Sequence, residues 1–303
     1  MSGGDTRLVI CGLSRWHEVT LRIMRIQRGV ITVIGIMFAG ALVTAHAQWP
    51  DYRDVRIPRT KDGKPNLTAP TLRVNGKPDL SGLWQAERTP KAEYDAVLGN
   101  GFTALQPDIY DITKNFLNVF WGMKPEDEPL RPEAAAILKH RQESPQENTF
   151  TRCLPGGIPA ALQVLTFKII QTPQEIVMLP EMATNPPRQI YTDGRALPKD
   201  PDPTWMGYSV GRWNGDTLVV DTIGLNDRAW LDAFGHPRSE SMHITERYRR
   251  RDLGHMDLEI TFDDPKYYTR PFSIKIVLNL VPDSDLLEYV CNENERDRAH
   301  LGR

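Results

Sequence analysis

The sequence predicts a mainly β protein built on a curved antiparallel sheet or a lipocalin-like up-and-down β-barrel. Hydrophobic residues make up 40% and charged residues 25% of the 303 positions, which is enough apolar material for a packed core. The 24 prolines and 22 glycines exceed what a helical bundle tolerates and indicate many turns. From Gln163 onward, apolar and polar residues alternate with period two in short runs separated by turn signals.

The first segment has the pattern of an export signal. Arg25 and Arg28 precede the apolar run from Val30 to Val43, and Ala45-His46-Ala47 fits a cleavage site. The run is about 14 residues long, shorter than the roughly 20 that a membrane-spanning helix needs. We therefore expect residues 1–47 to be removed and the protein to be periplasmic or secreted. Residues 1–23 are either an over-long N-terminus or an extended positive region, because Met24 is the better start.

The next segment, residues 48–79, is predicted to be an extended proline-rich arm. Prolines recur there too often for a helix, and the charged residues between them show no period. A single β-rich domain is expected from residue 80 to 303, with a helical insertion at about 91–150. Its best helix runs from Pro132 to about Gln142, because proline at the first turn is followed by Glu133 and a run of alanines.

The strands follow from alternation and turn signals. Asn214-Gly215-Asp216 is the strongest hairpin signal. Met256, Leu258, Ile260 and Phe262 share one face of their strand, and polar residues share the other, which is typical of an antiparallel sheet and not of a parallel α/β sheet. The predicted strands are Leu80–Gln85, Gln163–Ile170, Glu175–Leu179, Arg188–Thr192, Gly207–Trp213, Thr217–Ile223, Met242–Arg250, Met256–Phe262, Phe272–Leu280 and Leu286–Cys291.

Cysteine usage agrees with export. Loss of Cys11 with the signal leaves Cys153 and Cys291, an even number in an oxidising compartment, so we expect a disulfide between them. Two free buried thiols are one alternative. A catalytic Cys153 ahead of Pro155-Gly156-Gly157 is another.

Seven short motifs are spread over nearly the whole predicted mature chain. They are Pro78-Asp79-Leu80-Ser81-Gly82-x-Trp84, Asp202-Pro203-Thr204-Trp205-Met206-Gly207, Gly211-Arg212-Trp213, Gly215 to Thr222, Asn226-Asp227, Trp230-Leu231-Asp232 and Glu288 to Asn294. Together they resemble those of a family of secreted, β-rich bacterial proteins. The resemblance implies export and a β-rich, lipocalin-like domain, and it implies no particular reaction.

The first candidate catalytic residue is a carboxylate that is predicted to face the interior of the barrel. In the strand Met242–Arg250, Glu246 shares a face with Ile244 and Tyr248 and should point into the interior. A buried carboxylate acts as a general acid or base when it is unpaired, and is structural when paired, here with an arginine such as Arg212 or Arg270. Asp221, in an otherwise apolar strand, and His243 complete the candidate acid–base set.

A metal site is a weaker hypothesis. His236, Glu240 and His243 would share one face of a helix and could bind zinc. Pro237 and the alternation after Met242 favour a loop followed by a strand, which breaks that convergence, so we predict no metal site.

Aromatic residues near polar loop positions indicate a small-molecule pocket. The alternative is that the tryptophans belong to the core and that Asn226-Asp227 only caps a turn. The candidate ligand-binding residues are Trp205, Trp213, Trp230, Asn226, Asp227, Tyr248, Tyr268 and Arg270.

Two functional hypotheses remain open at the level of sequence. One is a secreted β-barrel that binds a small, partly apolar molecule. The other is a periplasmic pocket enzyme, a hydrolase, lyase or isomerase, that uses the carboxylates and a histidine. A purely structural role in the envelope, with the proline-rich arm docked on a partner, is the third alternative. The net charge of −2 and the predicted export argue against a nucleic-acid partner, and the sequence identifies no cofactor.

Overall fold

The protein is a closed nine-stranded β-barrel. The proline-rich arm covers one of its ends, and loops cover the other. The computed structural model describes residues 53–99, 112–182 and 184–291, all of which belong to one unit, Tyr52–Arg303. A two-residue hairpin, β1 (Arg73–Val74) and β2 (Lys77–Pro78), precedes the barrel. The barrel strands are β3 (Gly82–Ala86), β4 (Thr166–Gln171), β5 (Glu175–Pro180), β6 (Arg188–Tyr191), β7 (Tyr208–Asn214), β8 (Thr217–Ile223), β9 (His243–Arg250), β10 (His255–Asp263) and β11 (Phe272–Leu280).

The predicted fold class is confirmed, with one departure from a purely antiparallel barrel. Neighbouring strands follow chain order around the barrel, and β11 closes onto β3. Every pair is antiparallel except β6 and β7, which run parallel and share only two register pairs, Ile190 with Ser209 and Tyr191 with Val210. A parallel pair needs a crossover, which the long connection from residue 192 to 207 supplies.

Alternation fills the barrel interior with side chains. On β10, Met256, Leu258, Ile260 and Phe262 are buried as predicted, and the facing residues of β11 are buried with them. They belong to one core cluster with inward residues of the other strands. A small barrel filled in this way is a packed core.

The predicted strand Leu286–Cys291 is wrong. These residues are irregular, and Leu287 and Val290 are exposed. The physical reason is closure: β11 already pairs with β3, so no sheet edge remains for a tenth strand.

The proline-rich arm closes one end of the barrel. The backbone N–H of Leu253 donates to Ala69 O (2.8 Å), and that of Gly254 donates to Leu67 O (2.7 Å). Arg59 holds the chain after β11 through a bidentate ion pair with Asp283. The arm is therefore bound along its length to the barrel rim.

The helical segment lies in the chain between β3 and β4. Its helices are α1 (Lys91–Leu98), α2 (Lys114–Leu117) and α3 (Pro132–Glu143), and the last confirms the helix predicted from Pro132. Short 3-10 turns at Pro125–Asp127, Pro145–Glu147 and Ala160–Leu162 connect them to β4. Among the described residues, none of the helices has the length and apolar character that a membrane crossing requires.

The predicted disulfide between Cys153 and Cys291 is confirmed. The Cα atoms are 5.9 Å apart, and the bond joins the end of the helical segment to the chain after β11. The alternatives of free thiols and a nucleophilic Cys153 are therefore excluded. The predicted signal, residues 1–47, lies outside the described residues.

Candidate functional site

A charged pair lies inside the barrel among apolar residues. Arg188, the first residue of β6, and Glu246, in the middle of β9, are both buried and form a bidentate ion pair. Arg188 Nη2 also donates to Thr222 Oγ1 (2.9 Å) and Ser209 Oγ (3.1 Å). Tyr248 donates its hydroxyl hydrogen to Glu246 Oε1 (2.7 Å). We call these five residues the interior network.

The interior network leaves no free acid or base. Burial is the largest single influence and lowers the pKa of Arg188, but the charge and hydrogen bonds of Glu246, together with Tyr248, outweigh it and raise that pKa. Burial and the adjacent Glu246 raise the pKa of Tyr248 well above 10, so the phenol stays a hydrogen-bond donor. The guanidinium of Arg188 is thus fixed against the carboxyl group of Glu246 in bidentate geometry.

The prediction that Glu246 faces the interior is confirmed, but its expected arginine partner is wrong. Arg212 and Arg270 are exposed, and Arg188 forms the pair. The signal was present in the sequence, because alternation with Ile190 places Arg188 on the inner face of its predicted strand.

Asp221 and His243 lie on the outer wall, away from Glu246. In the β8–β9 register, Glu246 faces Val220, and Asp221 faces Thr245. Adjacent residues of a strand point to opposite faces, so the two carboxylates lie on opposite sides of the wall. Asp221 Oδ1 instead accepts hydrogen bonds from Thr245 Oγ1 and His243 Nε2, both at 3.0 Å. The expected cavity with both carboxylates is therefore not formed.

His236 sits between two carboxylates in the loops that cap the second end of the barrel. Its Nδ1 lies 2.5 Å from Asp232 Oδ2, and its Nε2 lies 3.2 Å from Glu128 Oε2. Burial alone would lower its pKa, but Asp232 and Glu128 outweigh burial and raise the pKa to about 9. His236 is therefore a buried imidazolium that ties the helical segment to the loop before β9.

The three weak metal candidates do not converge. His236 is in this buried contact, Glu240 is exposed, and His243 is on the outer wall. In the described part of the chain, no group of three His, Cys, Asp or Glu side chains could hold a metal ion.

Arg238 is a buried guanidinium whose hydrogen-bond partners, among the described residues, are all neutral oxygens. Its Nε donates to Asn226 O (2.8 Å), its Nη2 to Trp205 O (3.0 Å) and its Nη1 to Ile158 O (3.3 Å). Burial lowers its pKa to about 9, so the group keeps its charge at neutral pH. Gly157 is required beside it, since a Cβ there would lie 2.8 Å from Nη1 and φ is +68°. Arg238 therefore joins three loops around one charge.

A groove opens on the outer surface where β6 and β7 begin. Its volume is about 250 Å³. Trp205 and Tyr208 line one side, while Pro186, Pro187, Gln189 and Tyr191 line the other. Arg188 and Ser209 of the interior network form part of its lining. We call this cavity the seam groove, because it lies along the parallel β6–β7 seam.

The turn at Thr204 to Gly207 fixes the tryptophan side of the seam groove. Thr204 N donates to Gly224 O (2.9 Å), and Gly207 N donates to Thr204 Oγ1 (2.9 Å). Gly207 has φ +70°, and a Cβ there would lie 2.6 Å from Thr222 Cγ2, so this close approach requires glycine.

Arginine side chains stack on the aromatic residues of the seam groove. The guanidinium of Arg195 lies 3.8 Å from the ring centroid of Tyr191, and its Nη1 donates to Tyr208 Oη (3.1 Å). The rings of Tyr191 and Tyr208 are 5.2 Å apart. The guanidinium of Arg228 lies 4.6 Å from the ring centroid of Trp205. Such stacks restrict the rings before any ligand arrives.

Of the predicted ligand-binding residues, only Trp205 lines the seam groove. Asn226 is buried in contact with Arg238, and Tyr248 belongs to the interior network. The remaining five are dispersed. Trp213 packs on the core, and Trp230 is buried under Arg141. Tyr268 is buried and donates its hydroxyl hydrogen to Pro237 O, whereas Asp227 and Arg270 are exposed. Sequence reasoning missed Tyr191 and Tyr208, because their proximity depends on the parallel seam.

Three other surface cavities have charged walls. One of about 530 Å³ lies on the outer wall beside Arg247, Arg249, Asp257, Glu259 and Lys275. Another of about 290 Å³ adjoins Glu93 and Lys114, and one of about 50 Å³ lies under the arm. None of the described residues that line these three cavities is aromatic. The seam groove is smaller than the largest of them but has the aromatic lining that ligand sites favour.

Comparisons with protein-family models, with curated proteins and with solved structures give no match for this chain.

Proposed function

We propose that the protein is an exported binding protein that takes up a small, partly apolar molecule in the seam groove. One observation carries the proposal: Trp205, Tyr191 and Tyr208 line one groove, and arginine stacks hold the rings in place. Rigid aromatic surfaces beside a few polar groups are the usual lining of small-molecule sites.

Side chains fill the barrel interior, which favours the outer groove as the ligand-binding site. A lipocalin-like ligand would occupy the interior, but here inward side chains of the core cluster and the interior network occupy it. Placing a ligand there would separate Arg188 from Glu246 at a large free-energy cost. The aromatic groove has no such cost, because its walls already face solvent.

Acid–base catalysis is not part of the proposal. An enzyme of this kind needs at least two titratable groups within hydrogen-bond reach in one cleft. Glu246 is paired with Arg188, and Asp221 lies on the other face of the wall. Export is included because the Cys153–Cys291 disulfide is typical of proteins in an oxidising compartment.

The test uses a neutral aromatic molecule, 2-naphthamide, titrated calorimetrically into the purified protein. We expect one saturable site with a Kd of about 1 mM or tighter. Trp205→Ala should weaken binding roughly tenfold or more, because it removes the aromatic wall. Phe234→Ala is the matched control, since Phe234 is an aromatic residue with 43% exposure that does not line the groove.

Two outcomes would overturn the proposal. One is saturable binding that Trp205→Ala leaves unchanged, which would place the site elsewhere. The other is the absence of binding, together with native mass spectra that show no retained small molecule.

A further inference from the structure

We infer that the ligand of the seam groove is an anion with a flat ring, such as an aromatic carboxylate, and that Arg228 selects for its charge. The inference rests on the proposed function and deepens it. It is argued from Trp205, which contacts the guanidinium groups of Arg228 and Arg238. Among the described residues, neither guanidinium is paired with a carboxylate.

The two arginine–aromatic stacks at the seam groove differ in charge. Arg195, over Tyr191, is neutralised by Asp193, whose Oδ2 accepts from Arg195 Nη2 at 2.6 Å. Arg228, over Trp205, is exposed and forms no ion pair within the described ranges. Of these two stacked arginines, only Arg228 has no carboxylate partner among the described residues.

The loop before Arg228 holds this arginine in position. The backbone N–H of Arg228 donates to Asn226 Oδ1 (3.3 Å). The same Asn226 oxygen accepts from Arg238 Nη2 (3.3 Å), so the loop is fixed at its base by a buried contact. The indole of Trp205, 4.6 Å from the guanidinium carbon, covers one face of the Arg228 side chain.

The buried Arg238 adds positive charge behind the same tryptophan. It donates to Trp205 O, and its other partners are also neutral oxygens. Asp227 is the carboxylate next to Arg228 in the chain, but it is exposed and forms no ion pair with either guanidinium in the described part of the protein. Two guanidinium groups, those of Arg228 and Arg238, therefore lie next to Trp205, with one carboxylate, Asp227, near them.

The chemistry of the ligand follows from these groups. A guanidinium edge binds a carboxylate through two parallel N–H···O bonds, and this arrangement is stronger than a neutral hydrogen bond. The rings of Trp205 and Tyr208 accept a flat apolar body. A molecule that carries both features uses the whole groove, whereas a neutral ring uses only its aromatic part.

The experiment compares two probes of the same shape, 2-naphthoate and 2-naphthamide, by calorimetric titration. In the unmodified protein we expect naphthoate to bind at least about fivefold more tightly. Arg228→Gln should bring the ratio of the two affinities close to one. The ratio is the readout because loss of the stack on Trp205 acts on the ring that both probes contact. Arg212→Gln is the matched control, because Arg212 is an exposed arginine of β7 that, unlike Arg228, has no described stack on a ring of the groove, and it should preserve the difference.

Salt provides a second measurement that does not depend on any variant. Raising the ionic strength from about 0.01 to 1 M shortens the Debye length from about 30 to 3 Å and should weaken naphthoate binding only. Equal affinities of the two probes in the unmodified protein would overturn the inference and leave the proposed function standing. A preference that persists in Arg228→Gln would overturn the role of Arg228. Failure of both probes to bind would count against the proposed function itself.

Discussion

Removing the charge of Glu246 while keeping its size tests whether the interior network is structural. In Glu246→Gln, the guanidinium of Arg188 stays buried without an anion and keeps only neutral partners such as Ser209 and Thr222. Breaking a buried ion pair by neutralising one partner costs about 3–5 kcal/mol. For a domain of this size, each kcal/mol lowers Tm by about 2–4 °C, so we expect Tm to fall by roughly 6 to 20 °C.

Thermal unfolding gives Tm, and urea denaturation gives the free energy of unfolding; both are followed by near-ultraviolet circular dichroism, with the slope m checked for constancy. Glu259→Gln is the matched control, since Glu259 is a half-exposed carboxylate on β10 and lies 3.9 Å from Lys275 Nζ. A surface pair of this kind contributes about 0–1 kcal/mol, so this variant should stay close to the unmodified protein.

A double-mutant cycle separates the charge from the packing. We expect Arg188→Met with Glu246→Leu to be at least as stable as Glu246→Gln, because the double variant leaves no buried charge. A loss below about 1 kcal/mol for Glu246→Gln would refute this reasoning. Strict additivity of Arg188→Met and Glu246→Leu would refute it as well.

Further predictions concern the disulfide, the buried histidine and export. Replacing Cys153 and Cys291 with serine should lower the free energy of unfolding by about 5 kcal/mol, because the bond closes a loop spanning 138 positions; equal unfolding midpoints of the two proteins in urea would contradict this. The pKa of His236 is raised to about 9, so its contribution of about 3 kcal/mol is fully present below pH 6.5 and is lost as pH rises through 9. His236→Gln should therefore flatten the decline in stability between pH 6.5 and 9, and an unchanged pH profile would show that the contact with Asp232 and Glu128 is not the cause. Amino-terminal sequencing of exported protein should begin at Gln48, and a start more than a few residues away would disprove the predicted cleavage.

The sequence predicted the barrel strands well because one-sided burial imposes period two. Ile260 and Phe262 alternate with Thr261 and Asp263, and any register slip would turn the apolar set outward. The same rule placed Glu246 inside. The last predicted strand failed because alternation does not show whether a free sheet edge remains, and closure between β11 and β3 is a property of the whole barrel.

The candidate site was less predictable, because it depends on strands that are adjacent only through the crossover. The sequence indicated Trp205 as a binding residue because it is an aromatic residue near polar loop positions. Its neighbours Tyr191 and Tyr208 could not be predicted, because they come together only through the parallel seam. Local patterns favour antiparallel neighbours joined by short turns, so nothing in the sequence placed β6 alongside β7 in the parallel sense. The prediction that Asp221 lies near Glu246 was wrong for a related reason. Its strand was identified correctly, but whether its side chain points to the same face of the sheet as Glu246 depends on the β8–β9 register.

The location of the seam groove follows from how the rest of the barrel is closed. The arm covers one end through Leu67 and Ala69, and the other end holds the buried contacts of His236 and Arg238. Along the wall, the antiparallel ladders contain three to eight register pairs, whereas the parallel seam contains two.

Before Ile190 and Ser209, the two strands have no ladder between them, so side chains rather than backbone hydrogen bonds fill this part of the wall. Aromatic rings with stacked arginines are suited to that position, because they bury apolar surface at the gap and still present polar edges to solvent. The same arrangement lets a flat molecule contact the barrel there without breaking a ladder hydrogen bond.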